Sequence, residues 1–183
     1  MEKKRRFRSN GNIVLIGFMG SGKSSVGKYL ASCLNLEYIS SDDIIEEREK
    51  MKISDIFKKY GEKYFREREK EVIRDVSNRK NTVIATGGGI VLNWENVENL
   101  KKNGVTFFLR TSCGTIYNRI KDDKTRPLLD VEDPISTIRR ILKVRMPLYK
   151  AASDYIIDTS RLSVEEVSEK IKNYIRRIED EKD

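Results

Sequence analysis

The segment Gly17–Ser24, GFMGSGKS, spaces its glycines, amine and hydroxyl as GxxxxGK[ST]. Those residue types at that spacing suit one task, the grip of a phosphate chain. Glycines let backbone amides turn inward on an anion, a lysine amine reaches β- and γ-oxygens, and a serine hydroxyl suits Mg2+, which prefers oxygen ligands. Gly20, Ser21, Gly22, Lys23, Ser24 and Ser25 are therefore the candidate nucleotide-binding residues, with Ser24 the candidate metal ligand. A second reactive group lies in YISSDDIIEE, where Asp42 offers a carboxylate that can orient a hydroxyl or accept its proton during phosphoryl transfer. Its neighbour Asp43 reads as the cap of a helix beginning at Ile44.

Two further stretches carry binding groups. In GEKYFREREKEVI, the residues Tyr64, Phe65, Val72 and Ile73 supply a helix core face, while Arg66 and Glu69, three apart, share another. In VIATGGGIV an apolar β run ends in Gly87, Gly88 and Gly89, so something must approach the backbone too closely for a side chain.

What is missing narrows the chemistry. The 183 residues include no histidine, which excludes an imidazole base, a Ser/His/Asp triad and every histidine metal ligand. Cys33 and Cys113 lie far apart with no CxxC spacing, so neither a disulfide scaffold nor a zinc cluster is supported, and both are expected as buried free thiols. The guanine-recognition pattern NKxD is absent. No apolar stretch approaches the roughly 20 residues that span a bilayer, and a cytoplasmic protein is expected. The net charge is +8, but MEKKRRFR at the start holds five basic residues and one acidic, half of that total. Residues 1–11 read as a basic, disordered tail and 12–178 as one domain.

These groups need elements to hold them. IVLI at 13–16 reads as a short buried strand, then comes the glycine loop, then a helix with Val26, Tyr29, Leu30, Cys33 and Leu34 at helical spacing. Further β runs fall at Tyr38–Ile39, Thr82–Ala85, Val105–Leu109 and Tyr155–Ile157, separated by amphipathic stretches. The last of these puts Val164, Val167, Ile171, Tyr174, Ile175 and Ile178 on one face. Alternating β and α elements imply an α/β fold with a parallel sheet and helices on both sides. Asp42 then stands beyond a carboxyl strand edge, where such sheets gather ligands. Segment 121–134, charged and holding two of the three prolines, reads as a mobile loop.

Taken together, GFMGSGKS, an Asp after the second strand, GEKYFR, ATGGG, RPLL and RMPLY stand in the order and approximate spacing of the shikimate kinases, and the chain resembles that family from about Asn12 to Ile178. The resemblance implies a three-layer α/β/α P-loop kinase fold whose five-stranded parallel sheet has the order 2-3-1-4-5, with a mobile lid at about 121–134. It implies transfer of the γ-phosphoryl of ATP to the 3-hydroxyl of shikimate, with Mg2+, in aromatic amino-acid biosynthesis. Lys23, Asp42 and Arg126 would be catalytic. Asp42, Arg66 and Arg145 would bind shikimate over Gly87–Gly89, and two guanidinium groups suit a planar carboxylate. Arg126, in RPLL, would be the lid arginine that neutralises the transferring group. Arg119 would stack on adenine and Arg161 would lie in the adenine loop. The expected partners are small molecules, with neither nucleic acid nor membrane, and the expected state is a monomer.

One departure stands out. The family usually reads Asp-x-Asp at the end of the second strand, whereas Ser40, Ser41 and Asp42 stand here, so Ser40 replaces a carboxylate that helps hold the Mg2+ shell. A gluconate-type sugar-acid kinase would share the phosphate loop but gives no reason for GEKYFR, TGGG and RMPLY to occur together. A nucleoside monophosphate kinase would need a second arginine cluster for phosphate. A nucleic-acid-binding P-loop module guided by the basic tail is the alternative from another class, and steep salt dependence would mark it.

Overall fold

The computed structural model of the protein describes residues 11–121 and 131–180. Strands β1 (Asn12–Ile16), β2 (Glu37–Ser40), β3 (Thr82–Ala85), β4 (Gly104–Arg110) and β5 (Tyr155–Asp158) form one sheet in the order β2-β3-β1-β4-β5. Every pairing is parallel, as the sequence implied. Among the described residues the helices are α1 (Lys23–Leu34), α2 (Ser41–Glu49), α3 (Ile53–Val76), α4 (Trp94–Asn103), α5 (Cys113–Ile120), α6 (Pro134–Ala152) and α7 (Val164–Asp180), with a 3-10 turn at Ile90–Leu92.

The central strands β1, β3 and β4 are buried and largely apolar because both sheet faces are covered there, and alternate side chains sort to opposite faces. Val14, Ile16, Ile84 and Phe108 pack with residues of α2, α3, α4 and α6. Ile13, Leu15, Val83 and Phe107 pack with α1 and α7 on the other side. This is the three-layer arrangement. On α7 the buried apolar residues are Val167, Ile171 and Ile175, with Val164 and Tyr174 packed beside them, as the periodicity predicts, and the Ile178 side chain lies outside the described residues.

The central strands carry the site. Register pairs Leu15 with Ala85 and Ser40 with Ala85, so β1, β3 and β2 end side by side. The loops leaving those ends hold the phosphate-loop residues, the three glycines and Asp42.

Three local expectations are corrected, and one break in a helix is new. Helix α1 buries Val26, Gly27, Leu30 and Ala31, whereas Tyr29 and Cys33 face solvent. Cys33 is thus an exposed free thiol on the outer face of α1, and Cys113, the first residue of α5, is a half-buried one packed beside Ile116, Ile120 and Ile138. Helix α2 begins at Ser41 and is capped by Ser40, whose Oγ accepts from the Asp43 amide at 3.2 Å, so neither Asp42 nor Asp43 is the cap. Helix α3 is interrupted at Gly61, where φ is 80° and ψ 173°, a conformation open to glycine alone, and the chain sets off in a new direction toward Arg66. Of the expected lid, Lys121 and 131–134 are described, with Pro134 the first residue of α6; Arg126 and the RPLL motif lie outside the described residues, as does most of the basic tail. Among the described residues no helix is long and apolar enough to cross a membrane.

Candidate active site

The phosphate loop is shaped by three glycines. Gly20 and Gly22 adopt φ of 72° and 95°, and a Cβ on Gly17 would lie 2.7 Å from the Leu109 carbonyl oxygen. Helix α1 starts at Lys23 with no capping side chain, which leaves its N-terminal dipole for an anion. The Lys23 ammonium, nearly buried, donates to the carbonyls of Gly17 and Phe18 at 2.8 Å each.

Behind the loop, other carbonyls are held in place. Gly20 O accepts from Arg119 Nη1 at 3.1 Å, and Ser21 O accepts from Thr159 Oγ1 at 3.2 Å. Arg119 also donates through Nη2 to Thr159 O at 3.1 Å. Arg119, which the resemblance gives to adenine, therefore braces the loop against the segment after β5. Arg161 is exposed on that same segment.

The close approach that the glycine run implies comes from inside the chain. Each glycine is needed first by the chain's own groups. A Cβ on Gly87 would meet Asp42 Oδ1 at 2.6 Å and Glu69 Oε1 at 3.2 Å; one on Gly88 would approach the Met19 amide nitrogen at 3.3 Å; one on Gly89 would strike the Arg66 guanidinium, its Nη2 at 2.6 Å. The Gly87 amide is also spent internally, donating to the buried Ser41 Oγ at 3.0 Å. Arg145 reaches the middle of the run, where its Nη1 donates to Gly88 O at 3.1 Å. Asp42, Arg145 and Arg66 thus stand over Gly87, Gly88 and Gly89 in turn.

Electrostatics fix the two arginines. Arg66 pairs with Glu69 at 2.9 Å and with Glu62 at 2.9 Å. Burial works against its charge, but Glu69 and Glu62 outweigh burial and raise the guanidinium above its ordinary value. Glu69 is only 1% exposed. Burial, with help from Asp42, pushes its carboxyl above the usual range despite Arg66 and Arg145. A cavity of about 330 Å³ joins Lys23, Ser24, Ser40, Asp42, Gly88 and Arg119, so the phosphate loop and the Asp42 carboxylate open on one space. The Tyr38 hydroxyl is buried beside it without a hydrogen bond; burial raises its pKa, and the nearby hydroxyls of Ser24 and Ser40 oppose that.

Sequence reasoning missed Ser41, Tyr149 and Thr159, and gave Glu69 no role. For Glu69 and Tyr149 a signal existed. Glu69 follows Arg66 by three and Tyr149 follows Arg145 by four, the spacings that put side chains on one helix face. Ser41 and Thr159 act through single contacts distant in sequence and leave no such trace.

Comparison with known proteins gives the family. The family model described as shikimate kinase matches residues 19–176. The shikimate kinase of Thermodesulfovibrio yellowstonii is 52% identical over 166 residues, covering 90% of this chain and 95% of its own. In three dimensions the chain matches shikimate kinase from Acinetobacter baumannii in complex with shikimate, with TM-score 0.90 and 40% identity, covering 93% of this chain and 96% of that one. A gluconokinase from Sinorhizobium meliloti shares the fold alone, with TM-score 0.58 and 19% identity over 95% of each chain. The chain therefore belongs to the shikimate kinase family and is an ATP-dependent phosphotransferase acting on shikimate.

Proposed function

We propose that shikimate is held over Gly87–Gly89, with its carboxylate on Arg66 and Arg145 and its reacting 3-hydroxyl at Asp42. The observation that carries this reading is the placement of a carboxylate and two guanidinium groups over three successive glycines. Two guanidinium forks discriminate strongly for an acid, and Asp42 lines the cavity that the phosphate loop also lines. Asp42 orients the attacking hydroxyl and accepts its proton, while Lys23 exchanges its carbonyl partners for phosphate oxygens of ATP. Ser21, Ser25 and the amides of Gly20 and Gly22 complete the phosphate grip.

The residues fit Mg2+ held mainly through phosphate oxygens and water. Among the described residues no cluster of three or more acidic or thiol side chains could cage a metal alone, and Ser24 offers its hydroxyl at the mouth of the loop. When bound, the ion supplies charge neutralisation at the phosphates. On the resemblance alone, Arg126 adds a cation at the transferring group, Arg119 and Arg161 adjoin the adenine, and the enzyme works as a cytoplasmic monomer.

The test is steady-state kinetics of Arg66→Ala and Arg145→Ala. Each removes one partner of a charge-assisted pair, a loss of roughly 1.5–3 kcal/mol, so the shikimate KM should rise more than tenfold while the ATP KM holds. An unchanged shikimate KM in both variants would sink the reading.

A further inference from the structure

Packing does not account for the Tyr149 hydroxyl. The ring is fully buried and stacked on Phe108, with centroids 4.8 Å apart and planes 18° apart, a role that phenylalanine would fill. The hydroxyl instead donates to Gly88 O at 2.5 Å, the same oxygen that accepts from Arg145 at 3.1 Å. A carbonyl oxygen has two lone pairs, and these two donors take both.

The carbonyl they hold belongs to the peptide between Gly88 and Gly89. In a trans peptide C=O and N–H point in opposite directions, so fixing Gly88 O also fixes the direction of the Gly89 N–H. Between two glycines no Cβ resists rotation of that peptide. A rotated peptide would turn an electron-rich oxygen to the side the N–H now faces and strip Arg145 of its acceptor. Holding the carbonyl from α6 prevents this, and it sets Arg145 through the Nη1 bond to the shared oxygen, with the Tyr149 hydroxyl beside the same guanidinium.

We propose that Tyr149 is a positioning residue for acid recognition: its hydroxyl locks the Gly88–Gly89 peptide and, through the shared oxygen, the orientation of Arg145. The proposal rests on the reading of this glycine run as the shikimate site. Burial supports it by pushing the phenol up to about 12, so the hydroxyl keeps its proton and remains a donor throughout the working range.

The experiment is Tyr149→Phe, a one-atom deletion that keeps the ring, with Arg145→Ala measured alongside. Loss of one neutral hydrogen bond, about 1 kcal/mol, corresponds to roughly a fivefold rise in shikimate KM. ATP KM and ADP affinity should stay at wild-type values. The penalty should fall on shikimate and vanish for its methyl ester, which lacks the carboxylate that Arg145 would meet. In amide NMR spectra of the ligand-free variant, the Gly88 and Gly89 signals should broaden from microsecond-to-millisecond exchange where the wild type shows single sharp lines. Wild-type shikimate KM in Tyr149→Phe, or equal rises for shikimate and ATP, would overturn the proposal. So would exchange-broadened glycine signals in the wild type, a measurement that needs no variant. The readings fail separately: an unaffected Arg145→Ala removes the shikimate site itself, whereas a strong Arg145→Ala effect beside a silent Tyr149→Phe removes only the lock.

Discussion

Gly87 and Gly89 differ in what a methyl group would displace, and the difference predicts two distinct lesions. Alanine at Gly87 would press on the Asp42 carboxylate, and alanine at Gly89 on the Arg66 guanidinium. Both are ends of flexible side chains, so each variant should fold. Gly87→Ala should chiefly lower kcat, because it moves the proton acceptor; Gly89→Ala should chiefly raise shikimate KM, because it moves a binding group. Identical kinetic profiles in the two variants would refute the assignment of separate tasks. Glu69 yields a pH prediction. Its folded-state pKa is raised by burial, so the fold binds this proton more tightly than the unfolded chain does. That contribution to stability is fully present below the ordinary carboxylate value of about 4.3 and is lost as pH rises through the raised one. Relative to Glu69→Gln, which does not titrate, the wild type should therefore be more favoured at pH 4 than at pH 7. Urea midpoints of both proteins across that range measure the trend, and a constant gap would contradict it.

The caps and breaks of helices set the direction in which these side chains emerge. Ser40 shows how one residue serves an element and a site together. It caps α2 and also lines the cavity beside Ser24 and Asp42. Aspartate caps helices as well as serine does, so Ser40→Asp keeps the helix start and adds charge facing the cation position. The Mg2+ concentration for half-maximal rate should fall, with shikimate KM nearly fixed; a requirement equal to or above that of the wild type would mean residue 40 acts only as a cap. Gly61 is a purely conformational case. Beyond the adjoining backbone no atom lies within 4 Å of a Cβ placed there, yet its backbone is one that only glycine holds comfortably. Gly61→Ala should cost about 1–3 kcal/mol of stability, read from denaturant unfolding, all of it from local backbone strain and none from contact with a neighbouring element. The same elements show what could be read from sequence. Strands covered on both faces give continuous apolar runs, and alternation with amphipathic helices gives a parallel sheet, so the layers and the strand–loop–helix unit at β1 and α1 were legible in the residues, while the strand order came only with the family resemblance. The start of α2 was not, because Ser40, Asp42 and Asp43 are all competent caps and only the tertiary setting chooses. Nor was the outer face of α1, where Tyr29 and Cys33 count as apolar by composition but stay exposed.

Across the whole molecule, residues distant in sequence are brought to one sheet edge. β1 sits at the centre of the sheet, β3 and β2 extend to one side, and β4 and β5 to the other. The glycine run announced that the backbone must be approached closely, but which groups approach it depended on α2, α3 and α6 converging there, and local pattern does not encode that convergence. The bracing of the phosphate loop has a consequence for synthesis. The loop itself is complete by Ser24, yet its outward carbonyls are secured by Arg119 and Thr159, the latter at the far edge of the sheet. Domains form as units, with native pairings of long sequence separation closing late. A nascent chain on the ribosome therefore exposes the nucleotide signature early but holds it in final shape only once β5 and the residues just beyond it have emerged, so capture of ATP is a late event in the making of this protein.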